Sequence, residues 1–314
     1  MTKYDFSGCI EIPEPFSLGL TLLSGQCFRW DGPDHTGYFN GVVDQKVIRL
    51  KQVGNRLFYD VIGNKMNSTK VVEAWLMSYF RFNDPLEKWY RDFQVIPIMR
   101  QAALALHGMR VLRQDPWECA ISFMCAQGLS VEIIRIVIQN LCEKHGELIA
   151  DTNSQTFPSI QKISEQNAVF FRRCTNNYLN RADRMIRFAR CLLNDVFQLD
   201  HLRNISNEQA RFFLTLFDGI GPKIADCILL FSLDHLAAFP IDRWVLRALI
   251  QMKLIKKSLV STEAISTDRY WKLAQLAQNI LGPQCGVANL YLFFYLRILE
   301  NSSLRKKLDP FINK

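Results

Sequence analysis

Between Cys9 and about Gly63 the chain alternates short apolar runs with turn residues. Leu18–Leu23, Tyr38–Val43, Lys46–Leu50 and Arg56–Val61 read as strands, separated by turn signals at Asp31-Gly32-Pro33-Asp34 and Gly54-Asn55. An antiparallel sheet with one covered face is the expected result. From about Thr69 the apolar spacing becomes helical. It predicts helices over Val71–Phe82, Pro85–Phe93 and Pro97–Leu106. Asp115 and Pro116 look like the N-cap and first residue of a helix reaching about Ala126, and Ser130 caps another to about Lys144. Asp151–Ser159 is polar and reads as a loop. Arg181–Val196 places apolar residues at a 3.6 period, with Arg181, Arg184, Arg187 and Arg190 opposite them, a face read as solvated surface. Helices over Asn207–Phe217, Pro222–Ser232, Arg243–Met252, 268–281 and 286–300 finish the chain. The expected fold class is α+β: an N-terminal antiparallel β-sheet domain with flanking helices (residues 1–112), followed by an all-α domain (residues 113–314).

The candidate chemistry lies in Phe217–Asp242, FDGIGPKIADCILLFSLDHLAAFPID. Gly219-Ile220-Gly221 forms a tight hairpin between two helices, and Pro222 suits a first helical position because its missing N–H costs nothing there. Backbone amides left open at a hairpin and a helix N-terminus can receive a phosphate oxygen. Lys223 falls in the first turn, where the helix dipole disfavours an ammonium, which makes it a candidate amine nucleophile. Asp242 is placed to cap the next helix and point a carboxylate into the same region. Each feature has a plain alternative: a helical hairpin, a solvated lysine, an ordinary N-cap. Their joint order suits reaction at a sugar on a phosphate backbone.

The 314 residues are 49% hydrophobic, enough for a sizeable core, and carry a net charge of +8, which suits a polyanionic partner. The charges are scattered rather than gathered in a basic tail. Nine cysteines without a C-x-x-C pair indicate reduced, mostly buried thiols in a cytosolic or nuclear compartment. Neither a signal peptide nor an apolar run of membrane-spanning length is read.

The hairpin, lysine and aspartate, in this order and spacing, resemble the helix-hairpin-helix DNA glycosylase superfamily. Three further stretches narrow the resemblance: SGQCFRW (Ser24–Trp30), LRQDPWECAISFMC (Leu112–Cys125) and GPQCGVANLYLF (Gly282–Phe293). With the hairpin they resemble the 8-oxoguanine DNA glycosylase/lyase family over nearly the whole chain. The resemblance implies that the all-α part is a helix-hairpin-helix glycosylase domain. Such an enzyme bends duplex DNA and flips the damaged nucleotide into a pocket. Lys223 would displace the base from the sugar through a Schiff base, followed by β-elimination, with Asp242 handling protons and positive charge. Cys227 would pair with the lysine and help sense the base. The Gly25 carbonyl would accept a hydrogen bond from N7–H of 8-oxoguanine, a hydrogen that guanine lacks. Phe293 would stack on the flipped base. Asn289, on a shorter arm than the family's glutamine, would meet its Watson–Crick edge.

Several positions depart from the family. Ala126-Gln127-Gly128-Leu129-Ser130 replaces the asparagine-rich run that fills the gap in the duplex, leaving Gln127 or Leu129 to do so. Ile133 and Asn180 stand where animal enzymes carry an arginine and a tyrosine near the opposite base. Arg181 matches a second arginine, and Trp244 replaces a histidine. Only Cys285 lies beyond Asp242, so the four-cysteine iron–sulfur loop of endonuclease III relatives is not expected. The expectation is a bifunctional glycosylase/lyase acting inside the cell as a monomer on duplex DNA carrying oxidised guanine. It needs no cofactor or metal and has no membrane partner. Gly219, Gly221, Gln127 and Arg181 are the expected DNA contacts. The alternatives are a monofunctional alkylpurine glycosylase, which Lys223 disfavours, and a non-catalytic DNA-binding module, which retention of both Lys223 and Asp242 disfavours.

Overall fold

The structure is a computed structural model and describes residues 4–63, 68–175, 179–194, 198–255 and 265–312. It opens with β1 (Phe6–Glu11), α1 (Leu18–Leu23), β2 (Trp30–Asp31), β3 (Phe39–Val43), β4 (Lys46–Val53) and β5 (Arg56–Ile62). These strands form one antiparallel sheet in the order β1-β5-β4-β3-β2. The helices α2 (Thr69–Tyr79), α3 (Leu86–Phe93), α4 (Pro97–Ala105), α5 (Pro116–Cys125) and α6 (Val131–His145) follow. Then come α7 (Ile160–Ser164), α8 (Ala168–Phe171), α9 (Leu179–Leu193), α10 (Asn207–Thr215) and α11 (Pro222–Ser232). The chain ends with α12 (Arg243–Gln251), α13 (Thr267–Leu281), α14 (Cys285–Glu300) and α15 (Ser302–Ile312). Val196, the expected end of α9, lies outside the described residues.

The α+β architecture is as the sequence pattern predicts, with one element changed. Leu18–Leu23 is a helix, not a strand, with Ser17 as its N-cap. Leu18 and Leu22 join the core under the sheet, while Leu20 joins the core of the helices. A six-residue run buried on both sides carries no period that separates helix from strand. The final helix, α15, was not anticipated. It carries few apolar residues, yet Leu308 is fully buried and Phe311 packs against Phe39 with its ring centroid 6.0 Å away. A Cβ on Gly19 would lie 2.4 Å from the Phe311 ring, so that glycine lets α15 close onto α1.

Two apolar clusters result. One lies between the sheet and α1/α2, around Trp30, Ile48, Leu57, Val72 and Phe80. The larger one unites α3 to α6 with the later helices and encloses the inner face of α11, whose residues Ile224–Ser232 are all buried. The cysteines with described side chains are free thiols, most of them buried. None of the described helices is long and apolar enough to cross a membrane.

Candidate active site

A reciprocal capping box of Ser206 and Gln209 starts α10. The chain then turns, with the Ile220 amide donating to the Phe217 carbonyl at 3.0 Å. Gly219 has φ +93°, which a side chain would strain, and its open Cα face rests on the Arg184 stem. Gly221 instead has an ordinary φ of −79°, is exposed, and a Cβ there would meet nothing within 4 Å. It serves as the N-cap of α11 without a side-chain cap, so no side chain takes the first-turn amides there.

Lys223, in that first turn, is half-buried and lies over the Phe123 ring of α5, 5.3 Å from its centroid. Cys227 lies one turn on and is buried. Burial pushes its thiol up to about 11, although the Lys223 ammonium beside it draws it down. At neutral pH it is therefore a neutral thiol next to the amine rather than a thiolate. Asp242 caps α12 as its position suggested: Oδ1 accepts from the Trp244 and Val245 amides, both at 2.9 Å. Among the described residues Oδ2 accepts no hydrogen bond. Burial pushes the carboxyl above its ordinary value, while those amides, Lys223 and Arg297 pull it down. The carboxylate is thus within electrostatic reach of both cations.

The loop carrying Asp242 is held from two sides. Asn289 is buried on α14 and its side-chain amide donates to the Pro240 carbonyl at 2.9 Å. Its short arm is engaged by this loop instead of being held out toward a base edge. Tyr270 lies below: its hydroxyl accepts from the Ile241 amide at 3.1 Å and donates to the Asp226 carboxylate at 2.7 Å. Asp226, fully buried on α11, is paired with Arg211 of α10 at 2.6 Å. The sequence hid this network, because GPKIADC displays Asp226 beside more conspicuous neighbours while its partners lie on other helices.

Gly25 has φ +90° and sits where three elements meet. A Cβ there would lie 2.8 Å from Arg297 Nη1, 3.2 Å from Val131 Cγ2 and 3.6 Å from Phe293 Cε1. Its neighbour Gln26 fixes the position. The buried Gln26 amide donates to the Thr21 and Arg110 carbonyls and accepts from the Leu112 amide, while Gln114 donates to its backbone carbonyl. The glutamines of SGQCFRW and LRQDPWEC are therefore joints between the two motifs. Phe293 is partly exposed beside Gly25.

Gln127 and Arg181 engage protein groups. Gln127 donates to the Gly219 carbonyl at 2.7 Å, and Arg181, largely buried, donates to the Gln127 carbonyl at 2.6 Å. The α9 arginine row is largely the surface face that its spacing suggested, with Arg187 and Arg190 exposed and Arg181 turned inward, and it also carries ion pairs. Arg184 and Arg187 pair with Asp218 at 3.0 and 2.8 Å, and Arg190 donates to the Ser164 carbonyl. Arg184 and Arg187 thus brace the hairpin through Asp218. Ile133 is 40% exposed, and Asn180 is exposed as well. Among the described residues no group of three or more His, Cys, Asp or Glu side chains could hold a metal.

A sheet domain joined to a helix-hairpin-helix unit, with a lysine and a capping aspartate at successive helix starts, fits the architecture expected of a helix-hairpin-helix DNA glycosylase. Residues 10–120 match the family model described as 8-oxoguanine DNA glycosylase, N-terminal domain. The N-glycosylase/DNA lyase of Saccharomyces cerevisiae is 27% identical over 73% of this chain and 66% of its own length. The Arabidopsis thaliana N-glycosylase/DNA lyase OGG1 is 28% identical over 84% of this chain and 76% of its own. The chain thus spans about two thirds to three quarters of these relatives. The structure of the Clostridium acetobutylicum 8-oxoguanine glycosylase/lyase in complex with double-stranded DNA superposes with a TM-score of 0.81 at 25% identity. That superposition covers 96% of this chain and 100% of the other. The chain is thus similar to 8-oxoguanine DNA glycosylases, over residues 10–120 by the family model and over nearly its whole length by structure.

Proposed function

We propose that this chain is a bifunctional DNA glycosylase/lyase that removes 8-oxoguanine from duplex DNA inside the cell, acting as a monomer. The observation that carries the reading is the meeting of Lys223, Cys227 and Asp242 at the open start of α11, with Gly25 and Phe293 reached through Arg297. Residues 1–112 contribute Gly25 to the base site, and residues 113–314 contribute the hairpin, the amine, the carboxylate and Phe293. The open amides after Gly221 take a backbone phosphate, and the flipped nucleotide enters between Gly25 and Phe293. The Lys223 nitrogen bonds to C1′ as the C1′–N9 bond breaks. Asp242 stabilises the positive charge developing on the sugar and moves the proton lost by the amine. The remaining N–H proton passes to O4′ as the C1′–O4′ bond breaks to give the imine, and removal of a C2′ proton then expels the 3′ phosphate by β-elimination.

An alkylpurine glycosylase would release base without strand cleavage, and a non-catalytic binder would do neither. The discriminating experiment is borohydride reduction during reaction with an 8-oxoguanine duplex. The expected result is a covalent protein–DNA adduct together with a cut strand. Base release without an adduct, or binding alone, would overturn the reading.

A further inference from the structure

Arg297 on α14 is 8% exposed, and its guanidinium lies against the α-carbon of Gly25 and over the Phe293 ring, 5.2 Å from the centroid. Its own hydrogen bonds are long. Nη1 donates to the Ser24 carbonyl at 3.4 Å and Nη2 to Glu132 Oε1 at 3.5 Å, and Glu132 is itself 63% exposed. A guanidinium carries five donors and stays charged in a protein. This one keeps donor capacity beside the two residues that would receive the flipped base. Asn289, the other polar side chain expected at the base, is engaged by Pro240.

Resting on the function proposed above, we propose that Arg297 is a catalytic residue that contacts the oxidised purine itself. Its guanidinium donates to a carbonyl oxygen flanking N7 of the flipped base while N7–H meets the Gly25 carbonyl. The donor becomes more valuable as the reaction proceeds. When the C1′–N9 bond breaks, its electron pair passes to N9 and delocalises onto the carbonyl oxygens of the base. The Nζ–C1′ bond forms on the other side, and the proton released by the lysine nitrogen ends on the departing base. A fixed cation at those oxygens stabilises the leaving group in the transition state more than in the ground state. Arg297 therefore acts on the base, and Lys223 and Asp242 act on the sugar.

The test is single-turnover base release from an 8-oxoguanine duplex by Arg297→Gln and Arg297→Lys, each divided by the same variant's strand cleavage at a preformed abasic site, which carries no base to contact. For Arg297→Gln this ratio should fall about thirtyfold, roughly 2 kcal/mol, the size of one charge-assisted hydrogen bond. The loss should appear in the rate rather than in the half-saturating protein concentration, and Arg297→Lys should recover part of it. An equal loss on both substrates would assign Arg297 to structure, and a tighter or faster variant would mean that it merely occupies the base's place; either result overturns the proposal. If Arg297→Gln fails to fold, Arg297→Lys decides, because it keeps the charge and the stem but not the planar fork; an unchanged ratio there overturns it. Failure of the underlying reading would look different: the unaltered protein would release no 8-oxoguanine.

Discussion

Helices α11 and α12 begin a short stretch of chain apart and are finished in opposite ways. Helix α11 starts at an exposed glycine with no side-chain cap and has a lysine in its first turn. Helix α12 starts at an aspartate whose carboxylate takes two of its orphan amides. The first end lacks an anion where its dipole favours one, and the second carries its own. Such an open end is completed only from outside, which suits a phosphate of DNA. The closed end needs nothing further and fixes its carboxylate within reach of the lysine. On the proposed mechanism, binding and nucleophilic attack fall to one helix start and charge stabilisation to the other.

The strongest way to break this division is to remove the amine. Lys223→Gln should abolish borohydride trapping and strand cleavage while retaining most duplex binding, since the amides and the hairpin remain. Persistent trapping in that variant would move the nucleophile elsewhere. The next effect is at the closed end. Asp242→Asn should slow turnover by about a hundredfold or more. It should change stability by about 1 kcal/mol or less, because asparagine caps as well as aspartate. The pH response adds a sharper reading. Burial holds the Asp242 carboxyl above its ordinary value, so activity should fall in acid as it protonates, at a higher pH than for an ordinary aspartate. Stability has the opposite sign. A carboxyl raised in the fold contributes stability below its unfolded pKa, and that contribution is lost as pH rises through the folded value. Denaturant melts should therefore show Asp242→Asn equal to or above the parent near neutrality, with the two converging in acid. A parent that instead gained on the variant with rising pH would contradict the direction of the shift.

Both helix starts were legible in the sequence because their signals are local: a Gly-x-Gly-Pro hairpin, an aspartate before a helix, a lysine one residue after a proline. The same is true of the caps Asp115 and Ser130. What supports them was not legible. Asp218 meets Arg184 and Arg187 only through the packing of α9 on the hairpin, so the spacing showed a surface face but not its ion pairs. Asn289 and Arg297 share one helix and look alike as polar residues in an apolar run, yet one holds the Pro240 loop and the other lies against Gly25 and over Phe293. Leu18–Leu23 was misread because burial on both sides erases periodicity. In each case the missing information was a partner distant in sequence.

The two glycines of the hairpin sharpen the comparison at a smaller scale. Gly221→Val adds atoms to open space at the uncapped end. It should cost about 1 kcal/mol or less in stability but weaken binding to any duplex about tenfold, with a shallower salt dependence. Gly219→Ala should do the reverse. Its positive φ and the Arg184 stem 2.9 Å from a new Cβ should cost roughly 1–3 kcal/mol of stability. Parallel melts and salt titrations check both. Equal effects from the two substitutions would mean that the open end is not where phosphate binds.

The smallest expected effect concerns the strand opposite the lesion. Backbone amides at an open helix end hold phosphates without regard to sequence, so reading the orphaned base requires separate donors. The two candidates at that position are already engaged: Gln127 donates to Gly219, and Arg181 donates to the Gln127 carbonyl. Gly128 has no side chain, and the neighbouring Ile133 offers only an apolar surface. Re-aiming Gln127 at a cytosine would break its bond to the hairpin proposed to hold the DNA backbone, so a gain in reading would be offset by a loss in binding. Discrimination rests on donors fixed against a base edge, and among the described residues the only uncommitted donor near that position is the exposed Asn180, whose amide no hydrogen bond to those residues fixes. Single-turnover cleavage of four duplexes differing only opposite 8-oxoguanine should therefore give rates within about tenfold, roughly 1.4 kcal/mol. A cytosine preference of about a hundredfold or more, roughly 2.7 kcal/mol, would mean that DNA binding frees Gln127 or Arg181 from these contacts. The hairpin's tie to the Gln127 turn would then be a switch thrown by the duplex rather than a fixed brace.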